Sequence, residues 1–102
     1  MSRIGYVRVS TEDQETARQL KLMEDYKVDK VFEEKASGKN TSRPEFLKMM
    51  DYVREGDILY VESISRLSRS VRDLLKIVDE LTEKGVHFVS AKENIDTSTP
   101  QG

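Results

Sequence analysis

No cysteine occurs in the 102 residues, so disulfides, thiolate metal sites and cysteine nucleophiles are excluded. The absence fits a reducing compartment, and a cytoplasmic location is expected. Histidine is scarce as well. His87 stands alone in an apolar run, cannot build a zinc site by itself, and reads as structural. No stretch approaches the roughly 20 apolar residues of a membrane span, and no signal peptide precedes the first strand-like run, so no membrane association is expected. An excess of basic charge is also missing. Lys and Arg number 17 against 19 Asp and Glu, for a net charge of −2. The charge total gives no support for a polyanionic partner, which would require cations segregated locally or carried outside this chain.

The composition does support one folded domain. Hydrophobic residues make up 36% and charged residues 35%, a polar balance that still contains clear apolar runs. A chain of this length buries roughly 65% of the surface its unfolded form exposes, enough for one core. No repeat, linker or low-complexity tract divides it, and residues 1–102 read as a single unit.

Two periodicities alternate along the chain. Arg3–Val9 reads as a strand. Asp13–Tyr26 reads as a helix with Ala17, Leu20, Met23 and Tyr26 near helical spacing. Val31–Glu34 is a short strand, and Lys35–Thr41 a loop broken by Gly38 and Asn40. Ser42 and Glu45 form a capping box around Pro44, opening a helix whose apolar face is Phe46, Leu47, Met50 and Val53, closed by Gly56. Asp57–Val61 has the continuous apolar character of a buried parallel strand. After the polar turn Glu62–Ser70, Ser70 and Asp73 form a second capping box. Val71, Leu74, Leu75, Val78 and Leu81 then mark an amphipathic helix ending at Gly85. Val86–Ser90 is a fourth strand. The βαβαβαβ order predicts a three-layer α/β/α domain on a mainly parallel sheet of four strands, or five with a short run at Asn94–Ser98.

Open parallel sheets collect ligands beyond the carboxyl ends of their strands. Arg8 and Ser10 follow the first strand there. Lys35, Lys39 and Arg43 follow the second, and Arg66, Arg69 and Arg72 the third. Neither of the latter two segments, Lys35–Arg43 and Ser63–Arg72, contains an acid. An acidic chain has thus gathered two basic segments on one rim. Strand alternation puts Tyr6, Arg8 and Ser10 on one face. On a helical turn Arg66 and Arg69 would point the same way. A serine among arginines suggests a phosphate ligand, with no acidic cluster evident for a metal. Blander readings stand beside this one. Thr11 with Gln14 fits a capping box for the first helix, and the arginines and the basic loop could simply be solvated.

The segments Tyr6–Gln14 (YVRVSTEDQ), Lys35–Phe46 (KASGKNTSRPEF), Glu62–Ser70 (ESISRLSRS) and Glu93–Thr99 (ENIDTST) resemble, in order and spacing, the motifs of the serine recombinases, the resolvase/invertase family. The resemblance runs from about Arg3 to the last residue. It implies a resolvase-like catalytic domain acting on DNA, with Ser10 as nucleophile and Arg8, Arg66 and Arg69 on the scissile phosphate. Tyr6, Gln14, Gln19, Lys35, Ser37 and Arg43 match positions that support the site or contact phosphate, and Gly38 matches the conserved loop after the second strand. Family members form a 5′-phosphoserine link, release a 3′-hydroxyl, exchange ends by subunit rotation and rejoin them, without metal or other cofactor.

Two departures matter. Many relatives carry Asp immediately before the first arginine of the pair, where this chain has Ser65, which cannot be a carboxylate base. General base and acid are therefore unassigned, since arginine is a poor base at neutral pH. The family also continues past this length into an oligomerisation helix and a DNA-binding region. The expectation is a catalytic-domain fragment that is mostly monomeric and binds DNA poorly alone, within a whole protein that oligomerises. The alternatives are a flavodoxin-like module holding a phosphorylated ligand and a catalytically inactive, recombinase-derived regulatory partner.

Overall fold

The first strand, β1 (Arg3–Val9), and the first helix, α1 (Asp13–Asp25), meet where β1 lacks a side chain. A Cβ at Gly5 would stand 2.7 Å from the Met23 sulfur, so glycine permits the close approach. The computed structural model describes residues 2–9, 13–35, 43–68 and 70–97, with side chains at all of these except 9, 13–16 and 35. β2 (Lys30–Lys35), α2 (Pro44–Tyr52), β3 (Ile58–Val61), α3 (Ile64–Leu67), α4 (Val71–Lys84), β4 (His87–Ser90) and β5 (Ile95–Asp96) follow. The predicted alternation holds, with α3 a single helical turn inside the stretch read as loop. β5 covers only two residues, fewer than the expected Asn94–Ser98, whose last residue lies outside the described residues.

The sheet order is β2-β1-β3-β4-β5. The pairs β1–β2, β1–β3 and β3–β4 are parallel, and β5 closes the edge antiparallel to β4. Strand alternation divides the core in two. Ile4, Tyr6, Phe32, Leu59, Val61 and Phe88 face α2, α3 and α4. Val7, Ile58, Tyr60 and Val89 face Met23 and Tyr26 of the α1 segment. Helices thus cover both sheet faces, giving the predicted three-layer α/β/α fold. Among the described residues no helix is long and apolar enough to cross a membrane.

Several helix expectations need correction. In α1, Ala17 and Leu20 are exposed while Gln19 is fully buried. Its amide donates to the Arg8 carbonyl at 3.1 Å, so a polar contact takes an inward position. In α2, Met49 is buried instead of Leu47, which is 66% exposed. That helix ends at Tyr52, before Gly56, whose positive φ serves the turn into β3. Arg43 occupies the N-cap of α2 without a side-chain cap bond, and Ser42, the expected cap, lies outside the described residues. The Phe46 N–H instead donates to Glu34 of β2 at 2.9 Å. Glu45, expected in the capping box, pairs with Lys48 at 3.3 Å.

The local signals of α4 succeed. Ser70 accepts from the Asp73 N–H at 3.1 Å. Gly85 adopts φ +80° and closes the helix through Gly85 N–H to Thr82 and Val86 N–H to Leu81. Its apolar stripe is wider than the core beneath it. Ile77 and Leu81 are buried, but Val71 and Leu75, both expected in the core, are 73% and 60% exposed.

Candidate active site

β1 lies between β2 and β3, so the chain leaves its two neighbouring crossovers in opposite directions at the carboxyl ends of β1 and β3. That is a topological switch point, where parallel sheets open a crevice. Arg8 stands near the end of β1, and Arg66 sits on α3 just after β3. Ser10, Arg69, Ser37 and Gly38 lie outside the described residues, as do the side chains of Gln14 and Lys35.

Arg8 is half-buried, and its Nη1 is buried with no hydrogen-bond partner among the described residues. A buried cationic donor without a partner is costly and calls for an explanation. Gln19, from α1, fixes the Arg8 main chain through the 3.1 Å bond described above.

Tyr6 shares the strand face of Arg8 as predicted, but it is fully buried and is not placed to touch DNA phosphate. Its hydroxyl donates to Glu34 Oε1 at 3.4 Å, and its ring meets Phe46 edge-on at 5.7 Å. Burial first, and then the Glu34 carboxylate, push the Tyr6 pKa above its ordinary value, against the pull of Arg43 and Arg8. Tyr6 therefore remains a neutral donor at physiological pH. Its partner Glu34 is a buried acid paired in register with Arg8.

Arg43 is a brace. Its Nη1 donates to the Leu67 carbonyl at 3.0 Å, its Nη2 lies 3.6 Å from Asp73, and its guanidinium stacks 4.3 Å from the Phe46 ring. It ties the start of α2 to the end of α3 and to α4.

The helical turn carrying Arg66 stops at Leu67, and Ser68 is extended at φ −134°. The helical-spacing argument joining Arg66 to Arg69 therefore ends before Arg69. Arg66 Nε lies 3.4 Å from Glu62 Oε1, and Arg18 Nη2 of α1 lies 3.1 Å from Glu62 Oε2. Ser65 is exposed, with its hydroxyl 2.9 Å from that of Ser63. The N-terminus of α3 is held from the opposite side. Glu93 accepts from the Ile64 N–H at 3.0 Å and from the Ser90 hydroxyl. Burial pushes the Glu93 carboxyl up, but these two donors outweigh it and leave the pKa below its ordinary range.

The basic segments that contain no acid in sequence are thus met by acids in space. Glu62 and Asp73 flank Ser63–Arg72 and fold back on Arg66 and Arg43. Sequence reasoning missed Glu34, Glu62, Glu93 and Arg18. Glu34 was signalled by its inward strand position beside Phe32. Among the described residues no group of three or more His, Asp or Glu is gathered as for a metal ion. A cavity of about 680 Å³ lies between α1 and the Glu62–Arg66 turn, bordered by Arg18, Lys21, Arg66 and Lys92.

Residues 3–102 match the protein family described as the resolvase N-terminal domain. The chain belongs to this family. Related resolvase and invertase sequences align along nearly all of it. A DNA-invertase of Enterobacteria phage P7 is 48% identical over 99 residues, covering 97% of this chain and 53% of that protein. The transposon Tn21 resolvase of Escherichia coli is 47% identical over 93 residues, covering 91% of this chain and 48% of that protein. The crystal structure of the N-terminal catalytic domain of TP901-1 integrase superposes with a TM-score of 0.75 at 31% identity, covering 98% of this chain and 84% of that one. This resolvase-family chain spans about half the length of the curated relatives it matches.

Proposed function

We propose that this domain cleaves and rejoins DNA in site-specific recombination, with Ser10 as nucleophile. The observation that carries the reading is the buried Nη1 of Arg8 at the switch point, unpartnered among the described residues, on the strand that runs into Ser10 in the sequence. A phosphate oxygen would satisfy that donor and profit from its charge. Family membership supports the choice of a DNA phosphodiester as substrate.

The Ser10 oxygen attacks phosphorus, a 5′-phosphoserine bond forms, and the bond to the 3′ oxygen breaks. The serine proton is released, and the departing 3′ oxygen gains a proton. Arg8, Arg66 and Arg69 meet the charge that develops on the phosphate, as preorganised donors do. Attack by the 3′-hydroxyl of another end reverses the step and restores Ser10, so the covalent link conserves the bond energy. Gln14, Gln19, Lys35, Ser37 and Arg43 support this geometry. The encoded protein works as a homo-oligomer on DNA in the cytoplasm, and the exposed Val71 and Leu75 on α4 are consistent with a face covered by another chain segment.

The test is Ser10→Ala in the protein as encoded, with a nicked recombination-site DNA that traps the covalent intermediate. The variant should bind DNA and form no adduct, whereas the wild type forms an adduct at Ser10 carrying the 5′ phosphate. Cleavage by Ser10→Ala, or an adduct on Tyr6 with a 3′ phosphate, would refute the mechanism.

A further inference from the structure

We infer that Glu62 is the positioning residue for Arg66, the carboxylate that aims its guanidinium at the scissile phosphate. This rests on the proposed role of Arg66 at that phosphate.

The geometry is specific. Glu62 is the first residue after β3, and its main chain is pinned to the turn after β4, with its carbonyl accepting from the Lys92 N–H at 2.8 Å. Its two carboxylate oxygens are divided between two cations. Oε1 takes Arg66 Nε, one helical turn along the chain, and Oε2 takes Arg18 Nη2 of α1. The Glu62 side chain is only 16% exposed, and that of Arg66 only 23%. Screening by water is thus weaker than for a surface pair, whose contribution is usually small. A guanidinium presents five N–H donors in a rigid planar fork, so one bond at Nε orients the whole fork.

The arrangement also answers the substitution at position 65. Ser65 cannot act as a carboxylate, and its hydroxyl lies against that of Ser63. The carboxylate at Arg66 comes from four residues before it, just past the strand end. The opposing reading is structural, with Glu62 merely fastening α1 to the sheet through Arg18. The two readings differ in whether the effect of Glu62 passes through Arg66.

The experiment uses the protein as encoded, with rates of covalent adduct formation measured at saturating DNA alongside DNA affinity. Glu62→Gln should slow adduct formation roughly ten- to a hundredfold, the scale of a lost charge-assisted hydrogen bond, with little change in DNA affinity. Arg66→Lys lacks the fork that Glu62 orients. Adding Glu62→Gln to it should cost nothing more, so the double variant should be as slow as Arg66→Lys alone. Glu62→Asp keeps the charge on a shorter side chain and should fall between wild type and the Gln variant. If Glu62→Gln does not fold, Glu62→Asp completes the same cycle against Arg66→Lys. An equal loss in both backgrounds would overturn the inference in favour of a structural role. A faster Glu62→Gln enzyme would overturn it too, making Glu62 a brake. Failure of the functional reading is recognised separately, by adduct formation in Ser10→Ala.

Discussion

Tyr6 illustrates how burial fixes the role of a residue. Its hydroxyl is enclosed with Glu34 beneath Phe46, and its pKa lies above the ordinary 10.0. The folded state thus binds the phenolic proton more tightly than the unfolded chain does. The stability this contributes is complete below the unfolded pKa of 10.0 and is lost as pH rises from there through the raised folded value. Urea unfolding of the wild type should therefore lose stability more steeply above about pH 10 than that of Tyr6→Phe. Near neutral pH the variant should be less stable by about 1 kcal/mol, the usual value of one intramolecular hydrogen bond. Parallel pH slopes for the two proteins would show that Tyr6 ionises as freely folded as unfolded. The shared face of Tyr6 and Arg8 was legible from strand alternation alone. Alternation also puts Glu34 on the Phe32 face of β2, but its register with Arg8 depends on the β1–β2 pairing, which no local pattern carries.

At the scale of elements, what was readable from the sequence depended on where the deciding contacts lie. Both ends of α4 were legible because Ser70, Asp73 and Gly85 act within a few residues of themselves. The start of α2 was misread because Glu34 reaches it from another strand. The single turn of α3 has no periodicity to detect, and it exists through contacts at its two ends. Glu93 holds its first N–H, and Arg43 takes the Leu67 carbonyl at its close. Glu93→Ala should remove the first of these and cost about 1 kcal/mol, as loss of a helix cap does. For a domain near 100 residues this lowers Tm by roughly 4–8 °C. The lowered Glu93 pKa sets the pH window. Its contribution is present above the ordinary carboxylate value of 4.5 and is lost as pH falls through the depressed folded value. Calorimetry of both proteins across the acid range checks this, and a Tm difference independent of pH would refute it.

At the scale of the whole molecule, the fold brings Arg8 and Arg66 to the carboxyl-end rim of the sheet without making the domain basic. The chain carries a net charge of −2. Among the described residues of the rim, Glu62 pairs with Arg18 and Arg66, and Asp73 pairs with Arg43, so acids offset part of the local positive charge. On the proposed function, the order β2-β1-β3 gives the reaction a place that does not require tight DNA binding. It directs two crossovers away from one point and places Arg8 there with a buried donor that no described residue satisfies. Transition-state charge at one phosphate rewards such a donor more than ground-state binding does. Residues 1–102 alone should accordingly bind duplex DNA no more tightly than the non-specific range of about 10⁻⁴–10⁻⁶ M. If Arg8, Arg66 and Arg69 were the only phosphate contacts, log K should fall against log salt with a slope of roughly −3 or shallower, near −0.9 per phosphate neutralised. Fluorescence anisotropy across a salt series measures both. A nanomolar affinity, or a slope near −6, would mean that this domain carries a broad DNA-binding surface, and that the acids around the rim do not hold its arginines in check.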